Sequence, residues 1–127
     1  MNELQQNNQN ATAKIAYDTL LPAVVLDSEG YPTDEFLKWV EEFNPFEHQL
    51  KNFINVLFEN WMHGNYGYKL KKKYAGYCAL ELHTLGWSGN EAILKALESN
   101  LFFFMLYWKK TERGGHYYFS VPVVDLQ

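Results

Sequence analysis

The clearest periodic pattern of the chain lies between residues 33 and 64. Apolar residues recur there at intervals of three and four, which predicts two amphipathic helices. The first begins after Thr33, a good N-cap residue, and ends at Asn44-Pro45, because a proline disfavours helical backbone in the residue before it. The second begins at the same pair and ends near Met62 to Gly64. Their inward residues are Phe36, Leu37, Val40 and Phe43, then Phe46, Leu50, Phe53, Ile54, Leu57 and Trp61.

Apolar and polar residues alternate in two later segments, which predicts strands. Residues 74–83 place Cys78, Leu80 and Leu82 on one face and Tyr77, Ala79, Glu81 and His83 on the other. Residues 116–123 place Tyr117, Phe119 and Val121 on one face and His116, Tyr118 and Ser120 on the other.

Three further sequence signals predict a helix, a strand and a turn in the second half of the chain. Ser88-Gly89-Asn90-Glu91 is a capping box that opens a short helix. The continuous apolar run from Leu101 to Trp108 predicts a central strand buried on both faces. Residues 111–115 then form a glycine-bearing turn, so this strand and the last one form a hairpin.

The predicted order α-α-β-α-β-β indicates an α+β fold, with an antiparallel sheet of three or more strands and helices packed on one face. A chain of 127 residues suits one domain, which we assign to residues 13–127. Residues 1–12 are polar and predict a flexible tail. The apolar residues 15–26, interrupted by Pro22, are consistent with an edge strand or with a short helix and an extended segment.

Composition and charge narrow the class of protein. Aromatic residues make up 17% of the chain, which predicts a bulky core. The net charge of -4 argues against general attraction to nucleic acid or to an anionic membrane. The single cysteine, Cys78, excludes an internal disulfide and predicts a buried thiol in a reducing compartment. With no signal-peptide pattern or spanning segment in the sequence, we expect a cytoplasmic protein without membrane association.

The densest polar grouping runs from Glu81 to Glu91. Strand parity places Glu81 and His83 on one face, and His116 joins them if the last strand pairs nearby. Such a cluster suits acid–base chemistry, a metal, or an anion at the start of the following helix. The structural alternative is that these residues only cap a helix and form turns. The candidate binding residues are Glu81, His83, Trp87, Ser88, Asn90, Trp108, Arg113, His116 and Tyr118.

An enzyme is the first alternative to a binding protein. A small hydrolase or metal-assisted enzyme would use Glu81, His83 and His116. Established enzyme templates fit poorly, because Ser88 lacks the G-x-S-x-G context of a nucleophile and neither a phosphate-binding glycine loop nor paired cysteines are present. We therefore expect no cofactor and no bound metal.

The sequence offers two other candidate binding surfaces. Lysines and tyrosines interleave from Tyr66 to Tyr74, and Lys69 to Lys73 would suit single-stranded nucleic acid. The structural alternative for these lysines is a solvated loop or protection of a sheet edge. Aromatic residues that the core does not hold, with Trp39, Phe58 and Trp87 as candidates, would form a patch for another protein or for a homo-oligomer.

Three motifs carry a resemblance to a known family. ELHT at Glu81–Thr84, GWSGNE at Gly86–Glu91 and RGGHYYF at Arg113–Phe119 are similar to those of a family of small proteins encoded by tailed phages and prophages, and YPTDEFLKWV at Tyr31–Val40 is a weaker match. Leu85 stands where that family has glycine. The resemblance implies a viral accessory protein in the bacterial cytoplasm, and it supplies no catalytic residue. We therefore expect a non-enzymatic binding protein whose partner is a host or phage macromolecule or a small ligand.

Overall fold

The helices and strands of the protein were located in a computed structural model, which describes residues 21–62, 64–73 and 75–127. The predicted tail at residues 1–12, and residues 15–20 of the ambiguous apolar segment, lie outside the described residues. In chain order the elements are α1 (Asp34–Glu42), α2 (Leu50–Glu59), the single turn α3 (Gly64–Gly67), β1 (Tyr68–Lys72), β2 (Tyr77–His83), α4 (Ser88–Glu98), α5 (Leu101–Tyr107), β3 (Trp108–Glu112), β4 (His116–Pro122) and a 3-10 turn (Val123–Leu126).

The four strands form one antiparallel sheet in the order β1-β2-β4-β3. Helices cover one face of it, and the α+β class with an antiparallel sheet of three or more strands is confirmed. The alternation predicted for β2 and β4 is also confirmed. Cys78, Leu80 and Leu82 of β2 are buried on the covered face, with Phe119 and Val121 of β4 beside them.

A row of phenylalanine rings explains the aromatic composition of the core. Phe43 stacks on Phe53 with 3.9 Å between ring centroids, and Phe53 lies 5.7 Å from Phe103. Phe103 meets Phe119 of the sheet at 5.3 Å. Edge-to-face and stacked pairs of this kind add to the free energy of burial. The row therefore ties the helices to the central strands.

The first helix is confirmed and the start of the second was predicted wrongly. Thr33 caps α1, since its hydroxyl accepts a hydrogen bond from the Phe36 N–H at 3.2 Å. Asn44 does not open α2. Its side-chain oxygen instead accepts from the Phe46 N–H at 2.9 Å, which forms a turn, and α2 begins only at Leu50. Phe46, predicted as a core residue, is exposed as a result.

The apolar run from Leu101 to Trp108 was predicted to be a strand, and this is wrong. Residues 101–107 form α5, and the strand begins only at Trp108. An uninterrupted apolar run fits either element, because it shows neither a period of two nor one of 3.6. Asn100 favours the helix because it is the N-cap: its side-chain oxygen accepts a hydrogen bond from the Phe103 N–H at 3.1 Å.

The lysine-rich segment predicted as a connection contains a strand. Residues 68–72 form β1, which pairs along its whole length with β2. Lysine is a common residue on edge strands, where its charge discourages pairing with another chain. The predicted role of the lysines as edge protection is thus compatible with the strand, while the assignment as a loop was wrong.

We expect Asn100→Ala to lower the free energy of unfolding by roughly 2–4 kcal/mol. The fully buried amide of Asn100 also donates to the carbonyl oxygens of Val40 and Phe43, at 3.0 and 2.8 Å, so its loss removes a cap and leaves two buried acceptors without a donor. Urea denaturation measures the change. Ser99→Ala, at the exposed preceding residue, is the control. Equal effects of the two substitutions would show that Asn100 has no special structural role.

Candidate functional site

The second face of the sheet, which we call the open face, brings together four of the predicted site residues. His83 of β2 lies directly opposite His116 of β4, and Glu81 lies opposite Tyr118. The Nδ1 atoms of the two histidines are 2.8 Å apart, and His83 Nε2 is 3.2 Å from Glu81 Oε1. The rings of His83 and Tyr118 meet edge to face. Strand parity therefore placed these side chains correctly.

The Glu81–His83–His116 row restricts where protons can lie. Only one proton fits between two Nδ1 atoms at this distance, so one ring donates and the other accepts. With a carboxylate at Glu81, a neutral His83 donates from Nε2 and accepts at Nδ1. His116 then donates from Nδ1, and the lone pair of its ring lies on Nε2. The row leaves His116 Nε2 as the atom able to accept a proton or a hydrogen bond.

A second polar pair lies beside this row. The Tyr118 hydroxyl donates to Glu112, which lowers the pKa of that carboxyl group, and the nearby charge of Lys110 lowers it further. The same hydrogen bond raises the pKa of the Tyr118 hydroxyl. Lys110 also lies over the Tyr118 ring, with Nζ 4.7 Å from the centroid. Glu112 therefore remains ionised, and Tyr118 remains a neutral donor between a cation and an anion.

A groove of about 490 Å³ crosses the open face. Tyr77 and Ala79 of β2 and Tyr118 and Ser120 of β4 lie in its floor, and Glu81 is at one end. Lysines stand along its sides. They are Lys73 next to β1, and Lys109 and Lys110 on β3. The groove thus combines aromatic rings with ammonium groups.

The basic residues of the chain are concentrated on the sheet. Residues 68–83 and 108–122, which contain the four strands and both hairpin turns, hold seven of the eleven Lys and Arg residues and two of the fifteen Asp and Glu residues. These segments therefore carry a charge of +5 and the rest of the chain -9, which gives the overall -4. The net negative charge of the chain therefore coexists with a sheet that is basic.

Three predicted site residues lie away from the open face, around the start of α4. The predicted capping box is wrong: Trp87 is the N-cap and no side chain caps the helix, while Ser88 is its first residue. Asn90 is fully buried, accepts from the Met62 N–H at 2.9 Å and donates to the carbonyls of Met62 and Thr84. Trp87 packs against Tyr31. In the structure, Asn90 joins the end of β2 to the residues after α2.

The last two predicted residues lie on the side of the second hairpin. Trp108 stacks on Phe104, and its indole N–H donates to the Thr111 hydroxyl at 2.9 Å. It pairs with Phe119 and so belongs to the covered side of the sheet. Arg113 is exposed in the turn between β3 and β4. The predicted site is thus divided among the open face, the start of α4 and the hairpin.

Lys109 and Lys110 were missed by the sequence analysis. The apolar run before them was assigned to a strand that ended at Trp108, so the two lysines fell in the connection to the turn. A lysine pair directly after an apolar run was the available signal. The register adds Lys69 and Lys71, which lie opposite Glu81 and Ala79 and therefore on the open face.

Residues 21–62, 64–73 and 75–127 contain no group of three or more His, Cys, Asp or Glu side chains placed to hold a metal ion. Within those same ranges, every helix is too short or too polar to cross a bilayer.

Comparison of the chain with protein-family models, curated proteins and solved structures finds no significant match.

We expect Gly115→Ala to destabilise the protein more than Gly76→Ala. Both glycines have positive φ in hairpin turns, so both substitutions strain the backbone. A Cβ at Gly76 meets open space, whereas one at Gly115 collides with the Thr84 hydroxyl. Because the Thr84 N–H donates to the Gly115 carbonyl at 3.0 Å, the collision also disturbs the contact between the two motif segments. Thermal denaturation of both variants measures the difference. Equal melting temperatures would contradict this contact.

Proposed function

We propose that the protein is a binding protein that acts without catalysis, and that its open face binds a single-stranded nucleic acid. The separation of charge carries this proposal: the two segments that form the sheet have a formal charge of +5, and the remainder of the chain has -9. Acidic residues elsewhere repel a polyanion, so the sheet is the part of the molecule that attracts one. Neither a neutral ligand nor a cation accounts for this arrangement.

The aromatic rings of the groove favour a ligand with planar groups. Tyr77 is about half exposed, and Tyr118 is half-buried further along the same face, where it lies opposite Glu81. Bases of a single strand stack on aromatic side chains while lysines contact the phosphates. Bases of a duplex are already stacked on one another, and the structure presents a sheet face to the ligand in place of a projecting recognition helix. The surface therefore suits a single strand better than a duplex.

The resemblance to phage proteins suggests where this binding takes place. A phage accessory protein meets viral and host nucleic acids in the bacterial cytoplasm, and we propose that it acts there. Two polar groups on the open face suit a nucleic-acid ligand, because His116 Nε2 and the Ser120 hydroxyl can form hydrogen bonds with base edges. Binding then needs neither a cofactor nor a metal.

We expect the double variant Lys69→Gln/Lys71→Gln to weaken binding of a fluorescent single-stranded oligonucleotide of mixed sequence. Removal of two phosphate contacts should reduce the slope of log K against log salt concentration by about 1.4. Tyr77→Ala should weaken binding by roughly 1–3 kcal/mol, the contribution of one stacked base. Fluorescence anisotropy over a series of salt concentrations measures both effects.

The matched control is Lys38→Gln/Lys51→Gln, which removes the same charge from α1 and α2. It should leave the salt slope unchanged. If both double variants weaken binding equally, general attraction rather than the open face is responsible. If a duplex or a base-free polyanion such as heparin binds as tightly as the single strand, stacking plays no part. Absence of binding at low salt would reject the proposal.

A small hydrolase is a second candidate function, favoured by the Glu81–His83–His116 row. Such a row holds the His116 ring in one tautomer. When His116 takes up a proton at Nε2, the carboxylate of Glu81 stabilises the resulting positive charge through His83, as a general base requires. Water would be the nucleophile, because the hydrogen bonds of the row join only Glu81, His83 and His116 and include no Ser or Cys side chain. The row differs from a catalytic triad in that respect.

Two substitutions separate this candidate from simple binding. If the protein hydrolyses nitrophenyl esters or bis(nitrophenyl) phosphate, His116→Gln and Glu81→Gln should each reduce kcat by roughly 100-fold or more. Lys69→Gln/Lys71→Gln should leave turnover of the neutral ester unchanged. Activity that survives His116→Gln would come from another site or from a contaminant.

A further inference from the structure

The outer side of α5 is an apolar surface without a partner in the described part of the chain. Leu101 and Met105 are 70% and 82% exposed, and Phe102 and Leu106 are about half exposed. Phe46, from the turn before α2, is 69% exposed and packs edge to face on Phe102. We call these five residues the α5 patch. Two of the aromatics predicted to remain outside the core do not belong to it, since Trp39 is buried and Phe58 stacks on Tyr68.

The size of the α5 patch is that of a protein interface. Five large side chains exposed to this degree present on the order of 600 Å² of apolar surface. Patches above a few hundred Å² on a monomer usually mark an interaction site. About 800 Å² from each partner forms an interface of standard size. The patch supplies most of one side of such an interface.

The arrangement of the patch fits a second copy of the same surface. Leu101 and Met105 form one i, i+4 row along the helix, and Phe102 and Leu106 form another. Two helices that present such rows pack with the ridges of one in the grooves of the other. Residues 101–107 contain no charged side chain, so two identical faces meet without like-charge repulsion. A two-fold axis brings the same surface of both copies together, and an uncharged ridged surface meets that requirement.

The sheet edges are poorly suited to self-association. The edge strand β1 carries Lys69, Lys71 and Lys72, which would face like charges in a second copy. The other edge strand, β3, has a bulge between Trp108 and Lys110, and a bulge interrupts pairing. Self-association through the helical side is therefore the arrangement that the structure favours.

We propose that the protein forms a homodimer in which the α5 patches of two copies pack against each other. This inference stands independently of the ligand. Met105 lies centrally on the outer side of α5 and would meet its counterpart near the two-fold axis. Since the open face is on the other side of the sheet, a dimer would present two ligand surfaces. Such a dimer binds a long ligand by avidity.

Sedimentation equilibrium of the full chain tests the dimer. The wild-type protein should be dimeric at micromolar concentration, and Met105→Lys should raise the dimer dissociation constant by about thirtyfold or more, the effect of losing one hot-spot residue. Tyr66→Lys, at a side chain that is 80% exposed in α3, is the matched control and should leave the constant unchanged. Circular dichroism verifies that both variants remain folded.

Several results would overturn the proposal. These are a wild-type monomer at all concentrations, and a dimer that Met105→Lys does not weaken. A monomer in which nuclear Overhauser contacts join the Met105 methyl group to residues 13–20 would show that the chain covers its own patch. A monomer that binds neutral phosphatidylcholine vesicles through α5 would show that lipid is the occupant. None of these outcomes would affect the nucleic-acid proposal, which depends on Lys69 and Lys71.

Discussion

The pairing of β2 with β4 is the constraint on which the rest of the molecule depends. Each strand has one face that must be buried, and a shift of one residue in the register would turn every buried side chain toward solvent. Leu80 opposite Phe119 fixes that register from the core side. The same register then sets His83 opposite His116 on the other face. Packing in the core thus determines the geometry of the polar row, although the two lie on different sides of the sheet.

The motif segments have mainly structural roles where they meet. The Thr84 N–H donates to the Gly115 carbonyl, and the Asn90 side chain bonds to the backbone of Met62 and of Thr84. Trp61 donates from its indole N–H to the His83 carbonyl at 3.0 Å. Polar groups buried in this way must be satisfied, because an unpaired donor or acceptor in the core is costly. The result is a rigid junction between α2, β2 and α4. The histidines project from that junction, so their positions are well determined.

The sequence predicted the parts of the fold in which one face is buried and the other is not. Alternation in β2 and β4 gave the correct inward residues and brought Glu81, His83 and His116 together. The alternation rule failed at Leu101–Trp108, where the apolar residues show no period. Asn100, which caps the helix there, also bonds to Val40 of α1, and this tertiary contact is not visible in the local sequence. The rule failed at β1 because lysines obscure the strand. The groove was missed for a related reason, since Lys109 and Lys110 reach it only once β3 is paired.

The uneven distribution of charge gives the molecule an electric dipole, with its positive pole at the sheet and its negative pole among the helices. In the field of a strongly charged surface such a molecule experiences a torque as well as a force. It therefore orients its oppositely charged pole toward the surface before contact. Salt shortens the distance over which this happens to about 10 Å at 0.1 M. In the proposed dimer, whose copies are joined through their helical sides, the two positive poles face away from each other, so one dimer would connect two negative surfaces.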